Sequence, residues 1–253
     1  MKSRHAKILD RIAIDGEATV QGLAERFGVS VMTVRRDLAE LEARGELTRT
    51  HGGAVLSRAG IVEFSFREKS SLHAEEKRAI AREAAQLVQR GMTLTLDTGT
   101  TALEVARAIA GIPDLTVLTS SLAIASALYG RPNIALVLTG GAVRTGSPDL
   151  SGWLTEENLK RFRVDMACIG ADGADREGAF TTDVSVARVS QAMIASAKET
   201  VLAADHTKFE KPAFVRFALW GDIDHVITGA AASPETRNWL EKAVRTVTYA
   251  RHE

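Results

Sequence analysis

The sequence has 253 residues, which is enough for a small domain followed by a larger α/β domain. Its 45% hydrophobic and 25% charged residues are ordinary for a globular protein, and it contains no run of about 20 apolar residues such as a membrane helix needs. Because Cys168 is the single cysteine, an intrachain disulfide and a cysteine-based zinc site are both excluded. We therefore expect a cytoplasmic protein.

The charge is balanced, with 32 basic and 32 acidic residues. The first 57 residues are nearly neutral as well, since they contain nine Lys and Arg residues and eight Asp and Glu residues. Phosphate contacts need a local cationic face rather than a cationic total. Binding to nucleic acid must therefore depend on where the charges lie.

Three short helical patterns follow one another near the N-terminus. Apolar residues recur at helical spacing in the first, which ends at Gly16. Thr19 is a suitable N-cap for the second, Gly28 supplies a tight turn, and Ser30 is a suitable N-cap for a third helix that runs to about Arg44. This order predicts a helix-turn-helix.

The third helix has one apolar stripe and one polar face. Spacing predicts that Val31, Val34, Leu38 and Leu41 share the buried side. The residues turned away from the core are then Met32, Thr33, Arg35, Arg36 and Glu40. A recognition helix presents side chains to the major groove in this way.

A β-hairpin wing is predicted after Gly45, which closes the third helix. Residues 46–55 read as two short extended pieces around a His-Gly-Gly tip. Arg49 and His51 are placed to meet the DNA backbone or the minor groove. The candidate DNA-binding residues are Ser30, Met32, Thr33, Arg35, Arg36, Arg49, His51 and Gly52.

Two alternatives remain open for this segment. Three short helices also fit a generic helical bundle. In addition, one of Arg35 and Arg36 could pair with Asp37 or Glu40 on the helix surface, which would leave only the other for DNA.

From Ala74 the pattern changes to helices alternating with short apolar strands. The predicted strands are 92–96, 115–118, 134–138, 164–169 and 200–204, with later candidates at 214–219, 225–228 and 245–248. This alternation predicts a mostly parallel sheet covered by helices on both faces, with ligands bound at the carboxyl ends of the strands. We place domain boundaries at 1–57 for the winged helix-turn-helix, 58–73 for a linker and 74–253 for the α/β domain.

Five successive strand ends contain Gly, hydroxyl or charged residues. They predict a site for a small polyol or sugar bearing a phosphate, because backbone N–H groups at a helix N-terminus bind anions. A Gly-x-Gly-x-x-Gly motif and a Walker motif are absent, so dinucleotide and Walker-type nucleotide sites are not supported. Taken singly, each loop could equally be a helix cap. The candidate effector-binding residues are Asp97, Thr98, Gly99, Thr100, Thr101, Thr119, Ser121, Gly140, Gly141, Arg144, Asp172 and Lys208.

The motifs resemble the DeoR family of sugar-metabolism repressors. Residues 29–38 match its pattern V-S-x-x-T-[IV]-R-R-D-L, and residues 49–54 match R-x-H-G-G-A. The family's D-x-G-T-T, T-N-S, G-G, G-x-x-G and D-x-x-K-F segments are similar to residues 97–101, 119–121, 140–141, 170–173 and 205–209. This chain departs from the pattern at three positions: Ser120 replaces an Asn, Val186 stands where a Glu is frequent, and Gly229 replaces the Asp of an I-T-D ending.

The resemblance implies a repressor of a carbohydrate-metabolism operon that a phosphorylated sugar or sugar derivative releases from operator DNA. It also implies a homodimer or homotetramer and an α/β sensor domain similar to ribose-5-phosphate isomerase. We expect no cofactor and no metal, because the six histidines are scattered without ligand spacing. Among them, His206 shares a loop with Lys208 and could hydrogen-bond the ligand.

Catalysis is the rival interpretation, since Asp172–Asp175 matches the D-G-A-D run of the isomerase. The isomerase also needs a K-x-G-G-G-type segment with its acidic base, and this sequence has none after Asp175. Glu177 could serve as a base, although an exposed turn residue fits it better. We therefore do not expect an enzyme.

Overall fold

The computed structural model describes residues 3–57, 66, 68–144, 147–211 and 213–251. The chain divides into two compact units, one of Met1–Lys69 and Thr145–Pro148, the other of Ser70–Arg144 and Asp149–Glu253. Of the predicted linker, 58–73, residues 58–65 and 67 lie outside the described residues, whereas 66 and 68–71 are helical and 72–73 form a turn. Within the described residues, no helix is both long enough and apolar enough to cross a membrane.

The first unit contains three helices and a three-stranded antiparallel sheet. Its elements are α1 (Arg4–Asp15), β1 (Glu17–Thr19), α2 (Val20–Phe27), α3 (Val31–Ala43), β2 (Leu47–Arg49) and β3 (Gly53–Leu56). β3 is the central strand, between β1 and β2. The predicted helix-turn-helix and wing are therefore confirmed.

Short-range signals place the helix ends as the sequence predicts. Thr19 accepts a hydrogen bond from the backbone N–H of Gly22, and Ser30 accepts one from Thr33, each at 3.1 Å. Gly28 ends α2 with φ +63°, a left-handed conformation that glycine adopts without strain. Local capping chemistry thus fixes the turn between α2 and α3.

Two details of this unit differ from the prediction. Val31 is 41% exposed, whereas Asp37 occupies the buried face beside Val34 and Leu38. The helical spacing cannot foresee this, because a carboxylate is buried only when partners from another element neutralise it. β1 was also missed, since Glu17–Thr19 becomes a strand only by pairing with β3, thirty-odd residues away.

The second unit is built on a parallel sheet of seven strands in the order β15-β14-β12-β9-β4-β5-β6. The strands are β4 (Thr93–Leu96), β5 (Leu115–Thr119), β6 (Ile134–Leu138), β9 (Val164–Ile169), β12 (Ala197–Ala203), β14 (His225–Gly229) and β15 (Thr246–Ala250). The helices are α4 (Ala74–Gln86), α5 (Thr100–Ile109), α6 (Leu122–Leu128), α7 (Trp153–Leu159), α8 (Val184–Ser196) and α9 (Pro234–Ala243). The predicted mostly parallel α/β fold is confirmed.

Two small antiparallel sheets accompany the main one. β7 (Ala142–Val143) pairs with β8 (Leu150–Ser151), and β10 (Gly173–Asp175), β11 (Gly178–Thr181) and β13 (Val215–Ala218) form a second sheet. The candidate strand at 214–219 therefore exists, but it joins β11 rather than the main sheet. Composition alone does not distinguish these pairings, because each depends on contacts distant in sequence.

Candidate DNA-reading surface and effector site

The N-terminal half of α3 presents the side chains that the sequence assigned to DNA. Met32 is 70% exposed, and Arg35 and Arg36 are exposed as well. Neither arginine makes an ion pair within the described residues. Ser30 and Thr33 are partly engaged with each other, since their hydroxyl oxygens lie 2.8 Å apart at the helix start.

Five acidic residues of this unit are paired with arginines other than Arg35 and Arg36. The ion pairs are Arg4 with Asp37, Arg11 with Asp15, Arg44 with Glu40 and Glu46, and Arg49 with Glu42. Arg35 and Arg36 thus keep a local positive charge although the segment is nearly neutral. This distribution resolves the apparent conflict between neutral composition and phosphate binding.

Asp37 links α1 to the recognition helix. Its carboxylate accepts hydrogen bonds from Arg4 at 2.5 and 2.8 Å, and His5 lies 3.1 Å from Oδ1. These bonds, above all those from Arg4, hold the pKa of Asp37 below its usual value. The sequence-based alternative that Asp37 pairs with Arg35 or Arg36 is therefore not what the structure shows.

The tip of the wing is exposed, whereas Arg49 of the wing is bonded to Glu42 of α3. His51 and Gly52 are exposed between β2 and β3. The Arg49 guanidinium donates to Glu42 Oε2 at 2.6 Å, and the Arg49 backbone N–H donates to Oε1 of the same carboxylate. Arg49 could reach DNA only by leaving Glu42, so the tip is the freer part of the wing.

The five polar strand ends meet at one edge of the main sheet. β4, β5, β6, β9 and β12 are parallel and lie in a single sheet, so their carboxyl ends share an edge. Neighbouring strands lie about 4.8 Å apart, so the five ends span about 20 Å. This edge brings together the loops that the sequence selected.

Asp97 is the most unusual group at this edge. It is 4% exposed at the end of β4, and its Oδ2 accepts a hydrogen bond from the Gly170 N–H at 3.0 Å. Its Oδ1 has no hydrogen-bond partner within the described residues. Burial raises the pKa of Asp97 to about 6, although the amides of Gly170 and Thr98 partly offset this. A half-satisfied buried carboxyl is typical of a binding site.

The loop after Asp97 leaves a helix N-terminus open. Gly99 is the N-cap of α5, with φ +103°, and no side chain caps the helix there. Thr98, Thr100 and Thr101 surround it and are half-buried or buried. Uncapped N–H groups at a helix N-terminus attract anions, so this loop fits a phosphate.

The hydroxyls after β5 have divided roles. Thr119 donates to the Leu96 carbonyl at 2.9 Å, and Ser121 caps α6 by accepting from the Ile124 N–H. Ser120, in contrast, is fully buried, and its Oγ has no partner within the described residues. Ser120 is not among the predicted effector-binding residues, although its departure from the family pattern marks it in the sequence.

Arg144 is held by two carboxylates. It donates to both oxygens of Asp149, at 3.0 and 2.8 Å, and to Asp183 at 3.4 Å. Gly140 and Gly141 precede it with φ +72° and +128°, which permits the sharp turn after β6. Arg144 therefore belongs to an ion network, and a ligand would have to compete with or extend it.

The first aspartate of the D-G-A-D run is bonded to threonines of the neighbouring strand and turn. Asp172 Oδ2 accepts hydrogen bonds from the hydroxyls of Thr181 and Thr182 and from the Thr182 N–H. Glu177, the candidate base, lies in the turn between β10 and β11 with a side chain 73% exposed and paired to Arg216. An exposed, ion-paired carboxylate is a weak general base.

A second lysine accompanies Lys208. Lys208 lies in the one-turn helix His206–Lys208 that follows β12. Lys77, on α4, is only 4% exposed, and burial together with the nearby Lys208 lowers its pKa while Asp205 raises it. No sequence pattern singles out Lys77, because it lies about 130 residues from Lys208, near the polar start of α4.

Family models match nearly the whole chain. The DeoR-like helix-turn-helix domain matches residues 4–59, and the DeoR C-terminal sensor domain matches residues 72–230. These two matches cover both of the units described above.

Characterised relatives align over most of their length. The glycerol-3-phosphate regulon repressor of Escherichia coli strain K12 is 32% identical over 228 residues, covering 90% of each chain. The lactose phosphotransferase system repressor of Lactococcus lactis is 35% identical over 237 residues, covering 92% of this chain and 93% of that one. Both are transcriptional regulators rather than enzymes.

Solved structures show more distant likeness. The ribose-5-phosphate isomerase A of Methanocaldococcus jannaschii has 22% identity and a TM-score of 0.39, covering 54% of this chain and 55% of its own. The translation initiation factor eIF-2B of Pyrococcus horikoshii OT3 has 18% identity and a TM-score of 0.41, covering 88% and 84%. On the family models and the relatives, this chain belongs to the DeoR family of helix-turn-helix transcriptional regulators with a C-terminal sensor domain.

Proposed function

We propose that this protein represses carbohydrate-metabolism genes and leaves its operator when a phosphorylated sugar or sugar derivative binds the sheet edge. One observation carries the ligand part of this proposal. The buried Asp97 has an unpartnered oxygen next to the uncapped N-terminus of α5. A carboxylate accepts hydrogen bonds from sugar hydroxyls, and a helix N-terminus binds phosphate, so the two together match a phosphorylated polyol.

Further groups at the edge support the same ligand class. The unpartnered Ser120 hydroxyl can donate to or accept from a sugar hydroxyl. Lys208 supplies positive charge two strands away from β4, at the end of β12. The relatives named above are repressors of glycerol-3-phosphate and lactose phosphotransferase genes by their descriptions, and both names are compatible with phosphorylated carbon sources.

The DNA part depends on α3. Arg35 and Arg36 are exposed and free of ion pairs within the described residues, and the helix start carries Met32 and Thr33 beside them. We propose that this face enters the major groove, with His51 and Gly52 of the wing at the adjacent backbone. A symmetric homodimer or homotetramer would then read half-sites about 10 base pairs apart, or a multiple of that spacing.

A gel-shift assay tests both parts. A DNA site selected from a random pool by the purified chain serves as the operator, and the effector panel includes glycerol 3-phosphate and several sugar phosphates. We expect one phosphorylated compound to weaken operator binding by about 5- to 150-fold, the range of typical allosteric coupling, while its unphosphorylated form has no effect. If no compound changes the shift, the sensor part of the proposal is wrong, although operator binding would stand.

We further propose that the chain does not catalyse sugar isomerisation. The bonded Asp172 and the exposed Glu177 favour this, because neither is a free buried base. Ribose 5-phosphate incubated with the purified protein should give no ribulose 5-phosphate above the blank. Turnover that disappears in Asp172→Asn would overturn this part.

The proposed domains are 1–57 for DNA binding, 58–73 as a linker and 74–253 for sensing. Limited proteolysis should cut first within 58–73 and release two resistant fragments. Early cleavage inside 74–253 would place the boundary elsewhere.

A further inference from the structure

His73 and Glu76, at the start of α4, meet His206 from a distant part of the chain within the second unit. Nδ1 of His206 lies 2.8 Å from Oε2 of Glu76, and Nδ1 of His73 lies 3.8 Å from the same oxygen. The three potential ligand atoms all lie within 4.8 Å of one another. Tetrahedral zinc, with bonds of about 2.0–2.1 Å, needs ligand atoms about 3.4 Å apart, so small side-chain adjustments suffice.

We propose that His73, Glu76 and His206 bind a divalent transition-metal ion, with zinc as the best match. Two imidazole nitrogens and one carboxylate oxygen are a ligand set that zinc takes in proteins, and water completes the fourth position. The spacing in sequence hides this set, since Glu76 and His206 are 130 positions apart. The sequence-based expectation of no metal considered spacing alone.

The surroundings orient the carboxylate toward the histidines. Glu76 is 3% exposed, and its other oxygen, Oε1, accepts a hydrogen bond from the His206 backbone N–H at 2.8 Å. Such an outer bond fixes the direction of a ligating carboxylate. Gly229 makes room for it, because a Cβ at that position would overlap the Glu76 carboxylate. This is the position at which the chain has Gly instead of the Asp of the family pattern.

The histidines remain open to the solvent, which gives an ion a path. The side chains of His73 and His206 are 41% and 29% exposed, and their rings meet edge to face with centroids 5.3 Å apart. His206 opens the one-turn helix that contains Lys208. If the proposed function holds, an ion here would fix that segment and so change the response to the effector.

Zinc binding to the full chain tests the site directly and without DNA or effector. After dialysis against a chelator, the protein is titrated with zinc sulfate by calorimetry, and cobalt is added to a second sample to record the absorption of tetrahedral Co²⁺. We expect one ion per chain and a tetrahedral cobalt spectrum. Absence of stoichiometric binding would overturn the proposal and leave Glu76 and His206 as a hydrogen-bonded pair.

Variants assign the ion to these residues. His73→Ala removes a ligand but leaves the Glu76–His206 hydrogen bonds, so the metal-free variant should stay folded. It should unfold only slightly below the parent, because Ala is less suited to the left-handed backbone at φ +52° and the ring contact with His206 is lost. Its zinc affinity should fall by more than about 100-fold, because even outer partners of a metal ligand are worth about 10- to 100-fold. His206→Ala should lose binding too, whereas His51→Ala, which changes an exposed histidine of the wing, should keep it. Unchanged zinc affinity in His73→Ala and His206→Ala would place the ion elsewhere and contradict the site.

Discussion

The recognition helix and the sheet edge use polar residues in opposite ways. On α3 the arginines proposed to contact DNA are exposed, and the nearby acidic residues Asp37, Glu40 and Glu42 are paired with Arg4, Arg44 and Arg49. At the sheet edge the critical groups, Asp97 and Ser120, are buried and incompletely bonded. The exposed arginines of α3 leave the free energy of unfolding almost unchanged. The buried polar atoms without partners at the sheet edge lower it, and a bound ligand would supply the missing partners.

This difference predicts that substitutions on the two surfaces affect different properties of the protein. Changes on α3 should alter DNA binding and leave stability nearly constant. Changes at the sheet edge should trade stability against the effector response. Substitutions of Arg35, Arg36, Asp97, Asp37 and Ser120 test this contrast.

Replacing both arginines on α3 should give the largest effect. We expect Arg35→Ala and Arg36→Ala each to weaken operator binding by about 1–3 kcal/mol, and the double variant by roughly the sum of the two. Fluorescence anisotropy with labelled operator at several salt concentrations measures this, and the salt dependence should become shallower. Arg90→Ala, an exposed arginine paired with Asp114 in the other unit, is the matched control and should bind normally. Full operator affinity in the double variant would contradict the assignment of α3.

Asp97 should make its own contribution to the pH dependence of stability. Its pKa of about 6 in the folded chain lies above the ordinary 3.8, so the folded state holds its proton longer than the unfolded state. The contribution of Asp97 to the free energy of unfolding should therefore fall as pH rises from about 4 to about 6 and then level off, by at most about 3 kcal/mol. Urea unfolding should show that Asp97→Asn is more stable than the parent at pH 7, that this difference shrinks toward pH 4, and that the effector response is weaker.

Asp114→Asn is the control for that experiment. Asp114 is exposed and has a left-handed backbone, which Asn tolerates, so its substitution should change stability by less than about 0.5 kcal/mol at any pH. If the difference in stability between the parent and Asp97→Asn does not change between pH 4 and 7, Asp97 is not a strained carboxyl.

Asp37 should contribute to the stability of the folded chain rather than contact DNA directly. Asp37→Asn weakens the bonds from Arg4 and His5, so the free energy of unfolding should fall by about 1–2 kcal/mol at neutral pH. Since the pKa of Asp37 is lowered in the folded state, its contribution is present above the ordinary pKa and is lost as pH falls through the folded value. Chemical unfolding at pH 7 and below pH 4 measures both. Glu40→Gln, more exposed, should have less effect; equal losses would contradict a specific role for Asp37.

Substitution of Ser120 should give the smallest change in stability, and the change should be an increase. Ser120→Ala removes a buried hydroxyl that has no partner, so the ligand-free protein should gain up to about 1 kcal/mol while the effector response weakens. Thr119→Val, next to it, removes a hydroxyl that donates to Leu96 and should destabilise instead. Thermal unfolding of the two variants compares them. The same sign for both would show that Ser120 has a partner in solution.

Much of the winged helix-turn-helix could be predicted from the sequence, because the residues that define its helix ends lie close together in the chain. The caps at Thr19 and Ser30 and the turn at Gly28 depend on residues within three or four positions. The error at Val31 arose because a helical stripe does not say which flank is covered, and the missing β1 because a three-residue strand needs its partner. The sheet edge was predictable as a set of loops, since parallel strands end together.

Local sequence patterns set the order of elements, the register of Val29–Leu38 and the polar ends of the strands. Folding then established which polar groups are bonded: Asp37 joins Arg4, Arg49 joins Glu42, His206 meets Glu76, and one oxygen of Asp97 has no partner within the described residues. The two levels differ in range, because propensity and capping act over a few residues, whereas burial and ion pairing join positions from 7 to 130 apart.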